Sequence, residues 1–307
     1  MNTALLFPGQ GSQRVGMGRD LAQAHEIARR TYEEADEVLG FSLSTLCFEG
    51  PEDALTLTKH TQPAILTTSI AVFRVLQEKG LAFDIVAGHS LGEWTALVAA
   101  GALELRDAVR LTHLRGTYMQ EAVPVGQGAM AALIGLDLEK TRGVCERASQ
   151  AGEVVEPANL NGAGQIVISG HTAAVERAMV DAKSSGAKLA KKLPVSAPFH
   201  CSLMKPAADQ LAAAMATVTV ATPRVPVVAN VTAEPTTDAA RIKDLLIQQV
   251  TAPVRWEESV QTIAKLGVTR AYELGSGAVL KGLVKKIAGS IEVTTIGEPH
   301  EVAAFTA

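Results

Sequence analysis

Short apolar runs that stop at turn residues alternate along the chain with longer segments of helical periodicity. That order is expected of α/β architecture with parallel strand pairing. Ala4 to Phe7 reads as a first buried strand, stopped by Pro8 and Gly9. Thr31 to Leu39 is helical. Pro63 to Glu78 places Ile65, Ile70, Phe73 and Leu76 near helical spacing, and Gly80 closes it. Ile85 to Ala87 forms a brief strand that runs into Gly88-His89-Ser90-Leu91-Gly92 and a helix through Ala100, ended by Gly101. Asp107 to Ala122 is a further helix, terminated at Pro124.

The texture changes after Pro124. Ala129–Leu136 reads as a strand, Glu139–Ala148 as a helix, and Glu153–Asn159 and Gln165–Ser169 as strands. Ala173–Ser184 is a helix and Lys188–Val195 a last strand. Strand-helix-strand-strand-helix-strand is the split βαβ order of ferredoxin-like modules. Lying between Pro124 and Pro198, it reads as an insertion, 126–196, in a larger domain made of 1–125 and 197–307. A helix from Ser202 to Ala216, the strand Val225–Asn230, two more helices and the strand Arg270–Leu274 complete the large part.

Composition narrows the class. The 307 residues are 47% apolar and 20% charged, an ordinary balance for a folded domain and unlike disordered or fibrous chains. With 28 basic against 32 acidic residues the net charge is −4, and aromatics are only 4%. Neither a broad basic footprint nor a stacking platform for nucleic acid is expected. Cys47, Cys145 and Cys201 have no metal-ligand or CxxC spacing, so reduced buried thiols in a cytoplasmic protein are expected. Residues 1–13 lack the basic and long apolar regions of a signal peptide, and no run approaches the ~20 apolar residues of a membrane span.

Gly88-His89-Ser90-Leu91-Gly92 matches G-x-S-x-G, in which a serine sits on a strained strand-to-helix turn. An apolar strand before it and an apolar helix after it supply the required context. The competing reading is a glycine-rich turn with a serine N-cap. A serine nucleophile needs a base. Of seven histidines, His89 adjoins Ser90 but should point elsewhere at a tight elbow. His200, on the constrained Pro194-Val-Ser-Ala-Pro198-Phe-His200 loop ahead of a helix, is the stronger candidate. On its helix Arg115 shares a stripe with Leu111, Tyr118 and Ala122. It could snorkel from an apolar edge or offer a fixed guanidinium fork to a carboxylate.

With these residues in view, the chain resembles the malonyl-CoA:acyl-carrier-protein transacylase family of fatty acid synthesis along almost its whole length. The resemblance rests on seven stretches in the family's order. They are Phe7-Pro-Gly-Gln-Gly-Ser-Gln13, Gly88-His-Ser-Leu-Gly-Glu93, Met119-Gln-Glu-Ala-Val-Pro124, Asn159-Leu-Asn-Gly-Ala-Gly-Gln165, Pro198-Phe-His200, Pro253-Val-Arg-Trp256 and Glu273-Leu-Gly-Ser-Gly277. It implies an α/β-hydrolase-like large domain with a parallel sheet and a ferredoxin-like small one. It further implies that Ser90 and His200 form a catalytic dyad and that Arg115 binds the malonyl carboxylate. The oxyanion donors would be the backbone N–H groups of Gln10 and Leu91. A backbone carbonyl near Gln249 would orient His200, with adjacent Gln248 the other alignment.

The same resemblance implies malonyl-CoA as substrate, no bound cofactor or metal, acyl carrier protein as partner, and a cytoplasmic monomer. Phe199, where many bacterial members have serine, resembles malonyl-selective domains in its bulk, and Ser276 replaces a common proline. Lys188, Lys191 and Lys192, or Lys281, Lys285 and Lys286, would steer an acidic carrier. The alternatives are a discrete acyltransferase of a polyketide synthase or malonate decarboxylase, a serine thioesterase or hydrolase, and a non-catalytic scaffold that binds carrier protein.

Overall fold

The computed structural model describes residues 1–150, 152–195 and 197–306. The chain opens with β1 (Thr3–Phe7), α1 (Arg19–Ala24), α2 (Glu26–Leu39), α3 (Leu43–Glu49), α4 (Glu52–Thr56) and α5 (Thr58–Glu78). Next come β2 (Ile85–Gly88), α6 (Leu91–Ala99) and α7 (Leu105–Glu121). The middle holds β3 (Gly128–Ile134), α8 (Leu138–Ala148), β4 (Val155–Gly162), β5 (Gln165–His171), α9 (Thr172–Ser184) and β6 (Leu189–Lys192). After a 3-10 turn at Ser202–Met204 follow α10 (Lys205–Met215), β7 (Val227–Val228), β8 (Pro235–Thr236), α11 (Ala239–Gln248) and α12 (Trp256–Lys265). The last elements are β9 (Arg270–Leu274), α13 (Val279–Ile287), β10 (Glu292–Ile296) and α14 (Pro299–Ala304).

Two separate sheets result. The larger has the order β10-β9-β1-β2-β7-β8 and is parallel throughout except for the short β7–β8 pair. Strand alternation sorts its side chains into two cores. Leu5 and Phe7 pack with α2, α5, α6 and α7 on one face, while Ala4 and Leu6 pack with Trp256, Val260, Leu280 and Val284 on the other. Both faces are covered, as a parallel sheet requires.

The smaller sheet is antiparallel, ordered β4-β5-β3-β6. This is the ferredoxin-like arrangement expected from the element order. Ala129, Ala131 and Leu133 face α8 and α9, whereas Met130 joins the core of the large sheet's helices. Strand β4 is also tied through backbone to the segment ahead of α12: Leu160 N–H donates to Val254 O at 2.8 Å and Val254 N–H to Ala158 O at 2.9 Å.

Helix α5 departs from expectation, since it starts five residues before Pro63 rather than at it. Proline cannot donate to the carbonyl four residues back. That carbonyl, of Lys59, instead accepts from His113 Nδ1 of α7 at 2.8 Å. Gly116 allows the approach, because a Cβ there would lie 2.5 Å from Thr58 O. The proline is therefore compensated from a neighbouring helix, and α5 and α7 are locked together next to the cleft.

Candidate active site

The end of β2 and the start of α6 form the elbow. Ser90 has φ 51° and ψ −105°, in the left-handed half of backbone space that a β-carbon disfavours. Glycines on either side are dictated by contact. A Cβ on Gly88 would lie 1.9 Å from Gly92 C, and one on Gly92 would lie 2.0 Å from Phe7 O. Gly9 lets the loop after β1 pass over the elbow, where a Cβ would meet His89 O at 2.5 Å. Asn230, fully buried after β7, clamps the turn: its Oδ1 accepts from Ser90 N–H and its Nδ2 donates to Gly88 O, each at 2.7 Å.

Ser90 Oγ lies 2.7 Å from His200 Nε2. His200 Nδ1 lies 2.8 Å from the backbone oxygen of Gln249. A carbonyl can only accept, so Nδ1 holds the proton and Nε2 is free to accept from the serine. His200 also has a positive φ, 59°, and is buried. Burial, reinforced by the charge of Arg115, pushes its pKa down to about 3, which keeps the imidazole neutral. The Gln248 carbonyl is turned away and accepts from the N–H groups of Thr251 and Ala252.

Arg115, on α7, is 2% exposed. It does not snorkel. Its Nη1 donates to Gln62 Oε1 at 2.7 Å, and its Nη2 to Ser90 Oγ at 3.1 Å and Gln249 Oε1 at 3.0 Å. All three partners are neutral, and among the described residues its Nε has no partner. Burial lowers the guanidinium to about 10, still charged at neutral pH. A forked cation held beside a serine hydroxyl is suited to an acyl group that ends in a carboxylate.

These residues line a cleft of about 560 Å³ between the two sheets. The large-sheet part contributes Gln10, Gln62, Ser90, Arg115, Met119, Phe199 and His200; Met130, Asn159, Leu193 and Val195 come from the other side. Gln10 lies on the loop held by the Ser12 Oγ–Gly9 O bond, and its Nε2 is 3.4 Å from Thr58 Oγ1. Leu91 begins α6, where a helix leaves its first N–H groups without intrahelical partners. His89 points away from Ser90, with Nε2 2.8 Å from Asn161 Oδ1 and its ring against Trp256. Cys201 is buried, its Sγ donating to Pro198 O and its pKa raised to about 11 by burial, so it is a poor nucleophile.

Four residues around the dyad and Arg115 were not singled out from sequence: Gln62, Asn230, Glu93 and Asn161. Gln62 carries a weak signal, as a polar residue inside an otherwise buried helical run. Asn230, Asn161 and the side chain of Gln249 act through contacts more than 70 residues away in sequence, which no local pattern encodes. Among the described residues no cluster of three metal-ligating side chains occurs, and no helix is long and apolar enough to cross a membrane.

Residues 4–290 match the acyl transferase domain family. A malonyl CoA-acyl carrier protein transacylase of Escherichia coli K12 is 50% identical over 302 residues, covering 98% of this chain and 97% of that one. The crystal structure of an acyl carrier protein S-malonyltransferase from Vibrio cholerae superposes with a TM-score of 0.96 at 48% identity, covering 99% of each chain. A type II PKS malonyl-transacylase, solved in complex with its acyl-carrier protein, superposes equally well at 46% identity, covering 99% of this chain and 98% of that one.

Proposed function

Because the chain belongs to the acyl transferase domain family, we propose that it moves a malonyl group from malonyl-CoA to the phosphopantetheine thiol of acyl carrier protein, supplying fatty acid synthesis. Ser90 attacks the thioester while His200 Nε2 takes its proton; CoA leaves as the thiol and Ser90 becomes malonylated. His200 then takes the proton of the carrier thiol, which displaces Ser90. The backbone N–H groups of Gln10 and Leu91 receive the oxyanion in both halves, where one such donor is worth ~3 kcal/mol. Arg115 holds the malonyl carboxylate, and the Gln249 carbonyl keeps His200 in the accepting tautomer.

The observation that carries this reading is the position of Arg115. A buried guanidinium with an unpartnered Nε, 3.1 Å from Ser90 Oγ, serves no purpose in a simple esterase pocket. An acyl carboxylate would satisfy it, and an acetyl group would leave it unpaired. The chemistry asks for no cofactor or metal. The reading includes a cytoplasmic monomer, in keeping with three buried free thiols, and an acidic carrier steered by exposed lysines at 188–192 or 281–286. It also divides the chain into a catalytic domain, 1–125 with 197–307, and a ferredoxin-like subdomain, 126–196. A second reading, service to a polyketide synthase, is favoured by the likeness to the type II PKS enzyme.

The test is a transfer assay with purified components. Malonyl-CoA should malonylate carrier protein that bears the phosphopantetheine thiol, with release of CoA, and leave carrier lacking that arm unmodified. Release of free malonate at a rate independent of carrier would make the protein a hydrolase instead.

A further inference from the structure

Glu93 has no part in the chemistry above, yet it lies directly beneath it. It is the third residue of α6, three after Ser90, a spacing that in an ordinary helix start would form a reciprocal cap. Here Ser90 makes no capping bond, and the Glu93 side chain turns inward, 3% exposed. Its Oε2 accepts from Asn230 N–H at 3.0 Å and from Gln249 Nε2 at 2.6 Å. Asn230 clamps the elbow, and Gln249 passes the contact on, since its Oε1 accepts from Arg115 Nη2 at 3.0 Å. Glu93 and Arg115 thus meet across a single amide. The donor-only guanidinium, together with the ionised Glu93, fixes which way that amide points, with NH2 toward Glu93 and oxygen toward Arg115.

The charge matters as much as the hydrogen bonds. A guanidinium buried among neutral partners needs a counter-charge. Glu93 is the carboxylate whose field acts on Arg115. We propose that Glu93 is a positioning residue that grades carboxylate recognition, being the buried counter-charge that Arg115 shares with the malonyl carboxylate. In the free enzyme Glu93 offsets Arg115 through Gln249. When the malonyl carboxylate arrives, the same cation faces two anions and its pull on the acyl group is moderated. The acyl unit can then leave for the carrier instead of settling on the arginine.

Glu93→Gln tests this, because the Asn230 N–H demands an acceptor and so holds the new amide oxygen where Oε2 was. The charge is lost while the hydrogen bonds remain. At pH 8 the KM for malonyl-CoA is expected to fall about fivefold or more, with KM for acetyl-CoA unmoved, since only the first acyl group carries a carboxylate. An unchanged or raised malonyl-CoA KM, or equal changes for both substrates, overturns the inference.

If the variant fails to fold, the wild-type protein supplies the same test. Burial raises the Glu93 pKa to about 7, opposed by the charge of Arg115 from α7, and His200 lies beyond Gln249. The ratio of malonyl-CoA to acetyl-CoA KM should therefore rise as pH is raised through about 7; a flat ratio contradicts the inference. The inference rests on the malonyl-transfer reading. Wild-type protein that transfers malonyl while Glu93→Gln leaves the ratio unmoved would defeat the inference alone; wild-type protein that transfers none would defeat the reading.

Discussion

His200 Nδ1 lies 2.8 Å from the main-chain oxygen of Gln249. The usual third member of a serine triad is a carboxylate; here the histidine that we propose as the base meets a carbonyl that no substitution can remove. A carbonyl fixes the tautomer as a carboxylate does but adds no negative charge to stabilise an imidazolium. Together with burial and the nearby Arg115, this leaves His200 neutral far into the acid range.

The pH dependence of activity follows. The free enzyme's kcat/KM for malonyl-CoA should not decline between pH 8 and 6, because the base is not protonated there. An acid limb near pH 6.5, the ordinary value for histidine, would contradict the environment described for His200.

Stability should carry two opposed signatures. Unfolded His200 takes up a proton near pH 6.5 that the native state refuses until about 3, so acidification through this window favours unfolding. Glu93 acts with the opposite sign: native Glu93 keeps its proton to about pH 7 against 4.5 in the unfolded chain, so its contribution declines as pH rises from 4.5 to 7. Denaturant titrations should show the Glu93 part of the slope disappear in Glu93→Gln; an identical pH profile would contradict it.

Arg115→Ala should lower malonyl transfer by ~10² or more while changing acetyl transfer far less, since the deleted fork pairs only with an acyl carboxylate. Steady-state kinetics with both CoA esters decides it. Equal losses would mean that Arg115 only supports the fold.

Gln249→Ala separates backbone from side chain. The carbonyl that orients His200 stays, while the amide linking Arg115, Glu93 and the Ser90 carbonyl is lost. Hydrogen bonds to charged groups contribute ~1.5–3 kcal/mol each. The expected result is a malonyl-CoA KM raised about tenfold and lower thermal stability, with Ser90 still labelled by a serine-directed reagent. Loss of that labelling would show that the dyad depends on the side chain too.

Gly92→Ala should destabilise by ~3 kcal/mol or more, because the new methyl would meet the Phe7 backbone rather than a side chain that could move. Chemical denaturation measures this directly. A neutral substitution would mean that β1 and α6 can separate without harm.

Much of this was legible in the sequence because the signals are local or sequential. The buried apolar run at 4–7 and the glycine-serine elbow at 88–92 each sit in one short window, the split βαβ order of 129–195 is read from consecutive elements, and each matches what is observed. Arg115 was legible as a stripe residue, but its burial was not, since both readings of that stripe share one periodicity. Helices α1, α3, α4, α13 and α14 and strands β8 and β10 were not anticipated, most being short segments beside stronger neighbours. Pro63 misplaced the start of α5 because His113, 50 positions away, satisfies the carbonyl that proline leaves free. The network through Asn230, Gln249 and Glu93 exists only once distant segments meet.

The most direct measurement is the intact mass of the protein after mixing with malonyl-CoA. The expected result is an adduct of malonyl mass that maps to Ser90, is absent in Ser90→Ala, and disappears when carrier protein bearing its thiol is added, with malonyl recovered on the carrier. No adduct at Ser90, or an adduct discharged to free malonate equally fast without carrier, would contradict the account.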